Sequence, residues 1–213
     1  MLQETRFASF EKGFAQIVSI VFHPLFIPTY TFLLFMQNNS LSFFLITPGS
    51  QWMLLGLIVF TTFLLPAMMM LFMYKMKLIS SLTIRQRSDR PGPILVTAIF
   101  FYLTYYLLKR LEIAPVFYVY MLGATTLAII SLLITLYWKI SLHLVAAGGV
   151  TAVVTGFSFI SQQTEPTLII SCLILSGLVG YARLRLNAHH PMEIYAGYGL
   201  GFVIMSSLYL IVS

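Results

Sequence analysis

The sequence predicts an all-α protein, a polytopic bundle of six to seven membrane-spanning helices. Of its 213 residues, 59% are hydrophobic and only 8% are charged, whereas a soluble domain needs far more polar surface. Several apolar runs approach the ~20 residues that a spanning helix requires. We expect one membrane domain over residues 1–213, with residues 1–74 forming peripheral N-terminal helices and residues 75–213 forming the core.

The spans are expected where apolar runs lie between short polar segments. These runs are Gln16–Met36, Trp52–Tyr74, Ile94–Leu108, Val116–Trp138, a fifth run that ends at Ile160, Thr167–Tyr181 and Ile194–Val212. Residues 1–13 indicate a short amphipathic or frayed segment. Pro24 and Pro28 predict a kink or a late helix start in the first run, and Pro66 predicts a bend in the second.

Small residues recur at helical spacing in two of the runs. Gly148, Ala152 and Gly156 are four residues apart in the fifth run, and Gly197 and Gly201 are four apart in the seventh. Small faces of this kind let the backbones of two membrane helices approach closely. We therefore expect the fifth and seventh helices to take part in close packing.

Most of the charge falls into polar blocks that separate the runs. The blocks are 75–93, 139–143 and 183–193. If the chain crosses the membrane seven times, all of these blocks and the N-terminus lie on the same side. The cation count favours the cytoplasmic side, although cations kept for an anionic ligand would bias that rule.

The residue types in these blocks suit phosphate chemistry. A single arginine guanidinium can bind two phosphate oxygens at once. His189 and Glu193 are four residues apart and share a face if a helix begins near Pro191. A carboxylate behind an imidazole fixes its tautomer and stabilises the positive charge that develops on it. With His143 in the second block, one histidine can attack phosphorus while the other protonates the departing oxygen.

The blocks resemble the motifs of the type 2 phosphatidic acid phosphatase superfamily, which are integral membrane lipid phosphatases. The family motifs are K-x6-R-P, P-S-G-H and S-R-x5-H-x3-D. The chain is similar at Arg90–Pro91, at Ser141–Leu142–His143, and at Arg183, His189 and Glu193 with the third spacing intact. The resemblance covers the chain from about residue 75 onward.

This resemblance implies a phosphatase-like core and assigns roles to particular residues. His189 would be the phosphohistidine nucleophile, Glu193 the acid that orients it, and His143 the general acid. Phosphate would be bound by a group of polar side chains, namely Arg183, Arg90, Arg87, Ser141 and Lys139. The substrate would be a lipid or isoprenoid phosphate or diphosphate in the membrane, and no cofactor or metal is implied.

The sequence departs from the family motifs in ways that keep a second function open. Thr83 replaces the first-motif lysine, Leu142 the second-motif glycine, Ala182 the serine before Arg183, and Glu193 the family's aspartate. These changes suit a non-catalytic protein that binds or transports a lipid phosphate. A further alternative is a structural subunit whose charges only set topology.

The remaining expectations concern partners, location and isolated histidines. The net charge of +6 is explained by membrane topology and anionic headgroups, so we expect no nucleic-acid partner. Protein partners are not indicated. We expect a multi-pass protein of the bacterial inner (cytoplasmic) membrane. His23 could join a site, but because it has no polar companions near it in the sequence, a structural role is favoured. His190 is interpreted as a lining or interfacial residue.

Overall fold

The computed structural model describes residues 2–37, 48–84, 86–113, 115–160 and 166–212, and these residues form α-helices without a β-strand. The helices are α1 (Leu2–Val21), α2 (Ile27–Gln37), α3 (Pro48–Val59), α4 (Leu65–Lys75), α5 (Pro91–Arg110), α6 (Pro115–Tyr137), α7 (Leu142–Ile160), α8 (Pro166–Arg185) and α9 (Pro191–Val212). A π-helical turn, Phe60–Leu64, joins α3 to α4, and a short 3₁₀ turn, Arg87–Asp89, precedes α5.

Five helical segments of the described chain are long and apolar enough to cross a membrane. They are Gly49–Lys75, Arg87–Arg110, Pro115–Tyr137, Pro166–Arg185 and Pro191–Ile211. The apolar parts of α2 and α7, Ile27–Met36 and Leu142–Ser158, are shorter. The all-α membrane bundle predicted from the sequence is therefore confirmed. The division of the chain at residue 75 stays a prediction.

The kink or late helix start predicted in the first apolar run is confirmed, and the helix before it begins well ahead of Gln16. Residues 2–21 form one continuous helix, and the chain leaves the helical path before α2 begins at Ile27. Pro24 lacks the N–H that would continue the helix. The break is stabilised because His23 Nδ1 accepts a hydrogen bond from the Leu25 N–H at 3.3 Å and the Tyr30 hydroxyl donates to the Val21 carbonyl at 3.0 Å.

The distortion expected at Pro66 takes the form of a π turn directly before it. Pro66 cannot donate a hydrogen bond to the preceding turn, and its ring crowds the carbonyl of Thr62. The wider turn lets the Leu65 N–H reach the carbonyl of Phe60. The Thr62 hydroxyl donates to the Ile58 carbonyl at 2.8 Å, so this buried polar group is satisfied within the helix.

Two helix pairs, α5 with α6 and α7 with α9, pack most extensively in the bundle. The contact between α7 and α9 depends on glycine. A Cβ atom on Gly148 would overlap the main-chain oxygen of Tyr198, and one on Gly201 would overlap that of Val145. A Cβ on Gly197 would lie 2.8 Å from the oxygen of Ser141. The close approach predicted from the glycine spacing is confirmed.

A substitution on α9 tests this contact. Gly201→Ala places a methyl group against the α7 backbone, which has no side-chain freedom with which to yield. We expect it to lower the free energy of unfolding by about 1–3 kcal/mol, as overpacked sites do. Thermal unfolding in detergent, followed by loss of monodisperse protein, measures the change.

The matched control is Gly199→Ala on the same helix, because a Cβ at Gly199 meets no atom within 4 Å. Its melting temperature should equal or exceed that of the wild type, since alanine favours the helical state over glycine. Equal melting temperatures for the two variants would contradict the contact.

Candidate functional site

The polar blocks meet at one end of the bundle, as the predicted topology requires. Arg90 Nη1 donates a hydrogen bond to the Ile140 carbonyl at 3.0 Å, and Arg87 Nη1 donates to the Tyr137 carbonyl at 2.5 Å. The Ser141 N–H in turn donates to the Glu193 carbonyl at 3.2 Å. Direct bonds therefore join the first block to the second and the second to the third.

The turn between α8 and α9 sets the position of the third block. The Ala188 N–H bonds the Arg183 carbonyl at 3.1 Å and the Asn187 N–H bonds the Leu184 carbonyl at 2.9 Å. This pair of bonds is the Schellman pattern that ends a helix. Asn187 has φ +49°, a left-handed conformation that asparagine tolerates better than most residues. The turn places Arg183, in the last turn of α8, next to the start of α9.

His189 and Glu193 form a buried pair at the start of α9. His189 Nδ1 lies 2.6 Å from Glu193 Oε2, and the side chains are only 2% and 7% exposed. The same carboxylate oxygen accepts a hydrogen bond from the His190 N–H at 3.3 Å. Pro191 is the first residue of the helix, so Glu193 caps its N-terminus. The negative charge is also favoured there by the helix dipole.

The charge of His189 is set by opposing effects. Burial lowers the pKa of His189 most strongly, and the nearby Arg183 and Arg90 lower it further. The hydrogen bond to Glu193 acts in the opposite direction and raises it. The balance lies below the ordinary value, which keeps the imidazole neutral at pH 7. A neutral ring whose Nδ1–H is held by Glu193 leaves the Nε2 lone pair available to a ligand.

A cavity of about 550 Å³ opens beside this pair. Its polar part is lined by side chains from four separate stretches of the chain, namely His23, Arg90, His143, Arg183 and His189. The sequence-predicted residues Arg90, His143, Arg183 and His189 therefore lie on one cavity wall. Arginine beside a neutral, oriented imidazole is a combination that can bind an anion and attack it.

His143 is held by the end of α1. Its Nε2 lies 3.0 Å from the Ser19 carbonyl oxygen, to which it donates a hydrogen bond. The His23 ring meets the His143 ring edge-on, with centroids 5.5 Å apart. Burial and Arg183 lower the pKa of His23 to about 4. His23 stabilises the helix break, as its structural interpretation predicts, but it also lines the cavity, which that interpretation missed.

Three of the predicted phosphate ligands do not line the cavity. The exposed Arg87 binds the C-terminal end of α6, and Ser141 is enclosed between α7 and α9. Lys139 is half-buried beside Arg90, and burial lowers its pKa. The Ser141 hydroxyl has no hydrogen-bond partner among the described residues. Among the described residues, the arginine and lysine side chains that line the cavity are thus Arg90 and Arg183.

Two departures from the family motifs lie on the cavity wall. Thr83, at the first-motif lysine position, and Leu142, at the second-motif glycine position, both line the cavity. The wall is therefore less basic and more closed at these points than the motifs would make it. The side chain of His190, which was interpreted from the sequence as lining or interfacial, is exposed.

No family model, curated protein or solved structure matches this chain. Within the described ranges, no group of three histidine, cysteine, aspartate or glutamate side chains is placed to hold a metal ion. The fold and the geometry described above define the protein as a helical membrane protein with a buried histidine–glutamate pair at an arginine-lined cavity.

The hydrogen bond between His189 and Glu193 predicts the tautomer of His189. The carboxylate holds the proton on Nδ1, so nitrogen NMR of labelled histidine should show the Nδ1–H form. Glu193→Ala should shift this residue toward the Nε2–H form. The chain has four histidines, so single substitutions assign each signal. In Glu112→Ala, which removes a carboxylate at the other end of α5, the His189 signal should not change.

Removing the charge of Glu193 and removing the charge of Arg183 should shift the pKa of His189 in opposite directions. The midpoint should lie below the ordinary value of about 6.5. Glu193→Gln should lower it further because the carboxylate stabilises the imidazolium, and Arg183→Gln should raise it because a positive charge is removed. The same NMR signal, followed from pH 8 down to pH 3, gives the direction of each shift relative to the wild type. Shifts of the same sign in both variants would contradict the electrostatic assignment.

Proposed function

We propose that this protein is a membrane phosphohydrolase that cleaves a lipid or isoprenoid phosphate or diphosphate through a phosphohistidine on His189. The observation that carries the proposal is the buried pair of His189 and Glu193 beside a cavity that also exposes Arg90 and Arg183. The resemblance to the type 2 phosphatidic acid phosphatases supports it, because the same residues occupy the third motif. Membership of that superfamily is part of the proposal.

The first step forms a bond between His189 Nε2 and phosphorus. Glu193 holds the proton on Nδ1, so the Nε2 lone pair points away from the carboxylate and is free to attack. As the new bond forms, the bond from phosphorus to the lipid oxygen breaks and its electron pair stays on that oxygen. Arg90 and Arg183 balance the charge of the phosphoryl oxygens, and Glu193 stabilises the positive imidazole.

The departing oxygen takes up a proton, and His143 is the residue proposed to deliver it. The His143 Nε2–H is bonded to the Ser19 carbonyl. His143 therefore delivers the proton from Nδ1 of its imidazolium form and is left neutral, with Nε2–H still on the Ser19 carbonyl. In the second step, His143 Nδ1 takes a proton from water as the water oxygen attacks phosphorus. The bond from phosphorus to His189 Nε2 breaks, its electron pair returns to the nitrogen, and phosphate leaves. The reaction as written uses no metal or cofactor.

The cellular setting is part of the same proposal. The five long apolar helices support a membrane setting for the proposed reaction, and we assign the protein to the bacterial inner membrane as a multi-pass protein. The cation count of the site end favours the cytoplasmic face. The bound phosphate would lie at that end and the lipid tail within the bundle.

A second candidate function is binding or transport of a lipid phosphate without turnover. Thr83 and Leu142 favour it, because both line the cavity at positions where the family motifs carry lysine and glycine. Leucine at the start of α7 covers backbone that a glycine would open to phosphate. This candidate predicts that the protein binds lipid phosphate and releases no phosphate at any pH or in the presence of any metal.

Substitution of His189 separates the two candidates. Phosphate release should be measured in detergent with phosphatidate, phosphatidylglycerol phosphate and polyprenyl diphosphate. His189→Ala should lower the rate by about 1,000-fold or more, as loss of a nucleophile does. His143→Ala should lower it by about 100- to 10,000-fold, the usual contribution of a general acid.

The control is His190→Ala, which removes the exposed neighbouring imidazole and should keep most of the wild-type rate. An acid-labile phosphoryl group on rapidly quenched wild-type protein, absent from His189→Ala, would identify the intermediate. If His189→Ala releases phosphate as fast as the wild type, the phosphohistidine mechanism is wrong. If the wild type binds lipid phosphate but releases none, the second candidate is favoured.

A further inference from the structure

A third histidine reaches the cavity from outside the polar blocks. His23 lies two residues after the end of α1, where Pro24 stops the helix, and it lines the cavity together with His143 and Arg183. It precedes the region that resembles the phosphatases, so no motif assigns it a role. One of its ring nitrogens stabilises the helix break. The other nitrogen has a different environment, and that environment indicates a second role.

The hydrogen bond at the helix break decides which nitrogen of His23 carries the proton. The Leu25 N–H donates to His23 Nδ1 at 3.3 Å, so Nδ1 is an acceptor and carries no proton. Burial and the charge of Arg183 lower the pKa of His23 to about 4, and the ring is therefore neutral at pH 7. A neutral imidazole carries its single proton on one nitrogen, which here is Nε2. The main chain thus fixes His23 as a hydrogen-bond donor at Nε2.

This Nε2–H is available to a ligand. It has no hydrogen-bond partner among the described residues. Nε2 is also not one of the fully enclosed polar atoms without a partner, so it keeps accessible surface. The neighbouring His143 ring meets the His23 ring edge-on, at 83°, rather than through a hydrogen bond. The open space that His23 lines is the cavity, and a ligand in the cavity can therefore meet the Nε2–H.

Other polar side chains on the cavity wall are already bonded to the protein. The Thr97 hydroxyl donates to the Pro93 carbonyl at 2.8 Å, and the His143 Nε2–H is taken by the Ser19 carbonyl at 3.0 Å. His23 differs from them, because only its Nδ1 is used by the fold. Its ring is held in place by the main chain while its one proton points elsewhere.

We propose that His23 is an anion ligand of this cavity and that its Nε2–H donates a hydrogen bond to a phosphoryl oxygen bound by Arg183. This inference rests on the proposed function for the identity of the anion. The charge of Arg183 acts on His23, and both side chains line the same cavity. A neutral donor suits this position, because an imidazolium would be repelled by the guanidinium. The Nε2–H can bind a phosphate oxygen without adding that repulsion.

Two substitutions separate this role from the task of His23 at the helix break. An asparagine oxygen can take the place of Nδ1, and a glutamine amide nitrogen can take the place of Nε2. His23→Asn therefore keeps an acceptor for the Leu25 N–H and loses the donor to the cavity, whereas His23→Gln keeps the donor. Phosphate affinity should fall about 10- to 100-fold in His23→Asn, the usual result of losing a hydrogen bond to a charged group. The loss should be smaller in His23→Gln.

Affinity is measured by equilibrium binding of radiolabelled probes in detergent, on the His189→Ala background so that no probe is consumed. The probes are phosphatidate, inorganic phosphate and diacylglycerol, which has the tails of phosphatidate without its phosphate. A lipid headgroup and free phosphate share the phosphoryl oxygens, and the probe whose affinity depends on His23 identifies the source. The affinity for diacylglycerol should not change in His23→Asn.

The control for the helix break is Tyr30→Phe. It removes the other bond at the break, from the Tyr30 hydroxyl to the Val21 carbonyl, and Tyr30 is not among the residues that line the cavity. This variant should bind phosphatidate and inorganic phosphate as tightly as the background protein. Melting temperatures confirm that each variant is folded.

Nitrogen NMR of labelled histidine gives a readout that a purely structural role would not move. In wild-type protein His23 should be the Nε2–H form, the opposite of the tautomer expected for His189. Saturating inorganic phosphate should shift the Nε2–H proton signal of His23 downfield, as a new hydrogen bond does. The signal is assigned by its loss in His23→Asn. An Nδ1–H form, or a signal that phosphate does not move, would contradict the inference.

The outcomes separate this inference from the proposed function. If wild-type protein releases no phosphate but His23→Asn binds a phosphate probe at least tenfold more weakly, the ligand role of His23 is supported and hydrolysis is not. If phosphate release requires His189 while folded His23→Asn binds both phosphate probes like the background protein, the inference is overturned and the proposed function stands. Equal losses in His23→Asn and Tyr30→Phe, or equal losses for phosphatidate and diacylglycerol, would also overturn the inference.

Discussion

The close backbone contact between α7 and α9 is the constraint on which the rest of the site depends. Gly197 brings the start of α9 against the Ser141 main chain, and the Ser141 N–H bonds the carbonyl of Glu193 there. The second and third polar blocks are therefore joined through the backbone. The cavity beside this pair is lined by residues of α5, α6 and α7, together with the end of α1 and the turn that follows it.

The buried charges of the site are stabilised by the opposite charges and helix ends around them. Glu193 lies at the N-terminus of α9, where the dipole and the His190 N–H favour a carboxylate. Arg90 is only 6% exposed, yet it donates to the Ile140 carbonyl and is attracted by Glu193. A lone arginine or glutamate at this depth would be costly, so the two charges and the neutral His189 depend on one another.

Local patterns in the sequence predicted the helices, the glycine contact and the meeting of the blocks, because each follows from spacing along one helix or from counting spans. The break in the first run was predicted from its prolines, but the start of α1 was not, since apolar composition alone does not show that the polar residues before Gln16 continue the same helix. His23 was interpreted as structural because it has no polar companions in the sequence around it, whereas the fold places it on the cavity. Arg87 and Ser141 were expected at the cavity but do not line it. Motif spacing places a residue along the chain and does not specify which way its side chain points.

Two of the four departures from the family motifs lie at the cavity. Arg90, Arg183 and His189 match the motifs, Glu193 keeps a carboxylate in place of the family's aspartate, and all four contribute to the buried pair or the charge around it. Thr83 and Leu142 lie at the cavity wall, where exchange alters what the cavity accepts without disturbing α7 or α9. Leu142 and Ala128 add apolar surface to the cavity that Arg90 and Arg183 also line. The lipid phosphate that we propose as substrate would contact both kinds of surface, because it carries its negative charge beside a hydrocarbon chain.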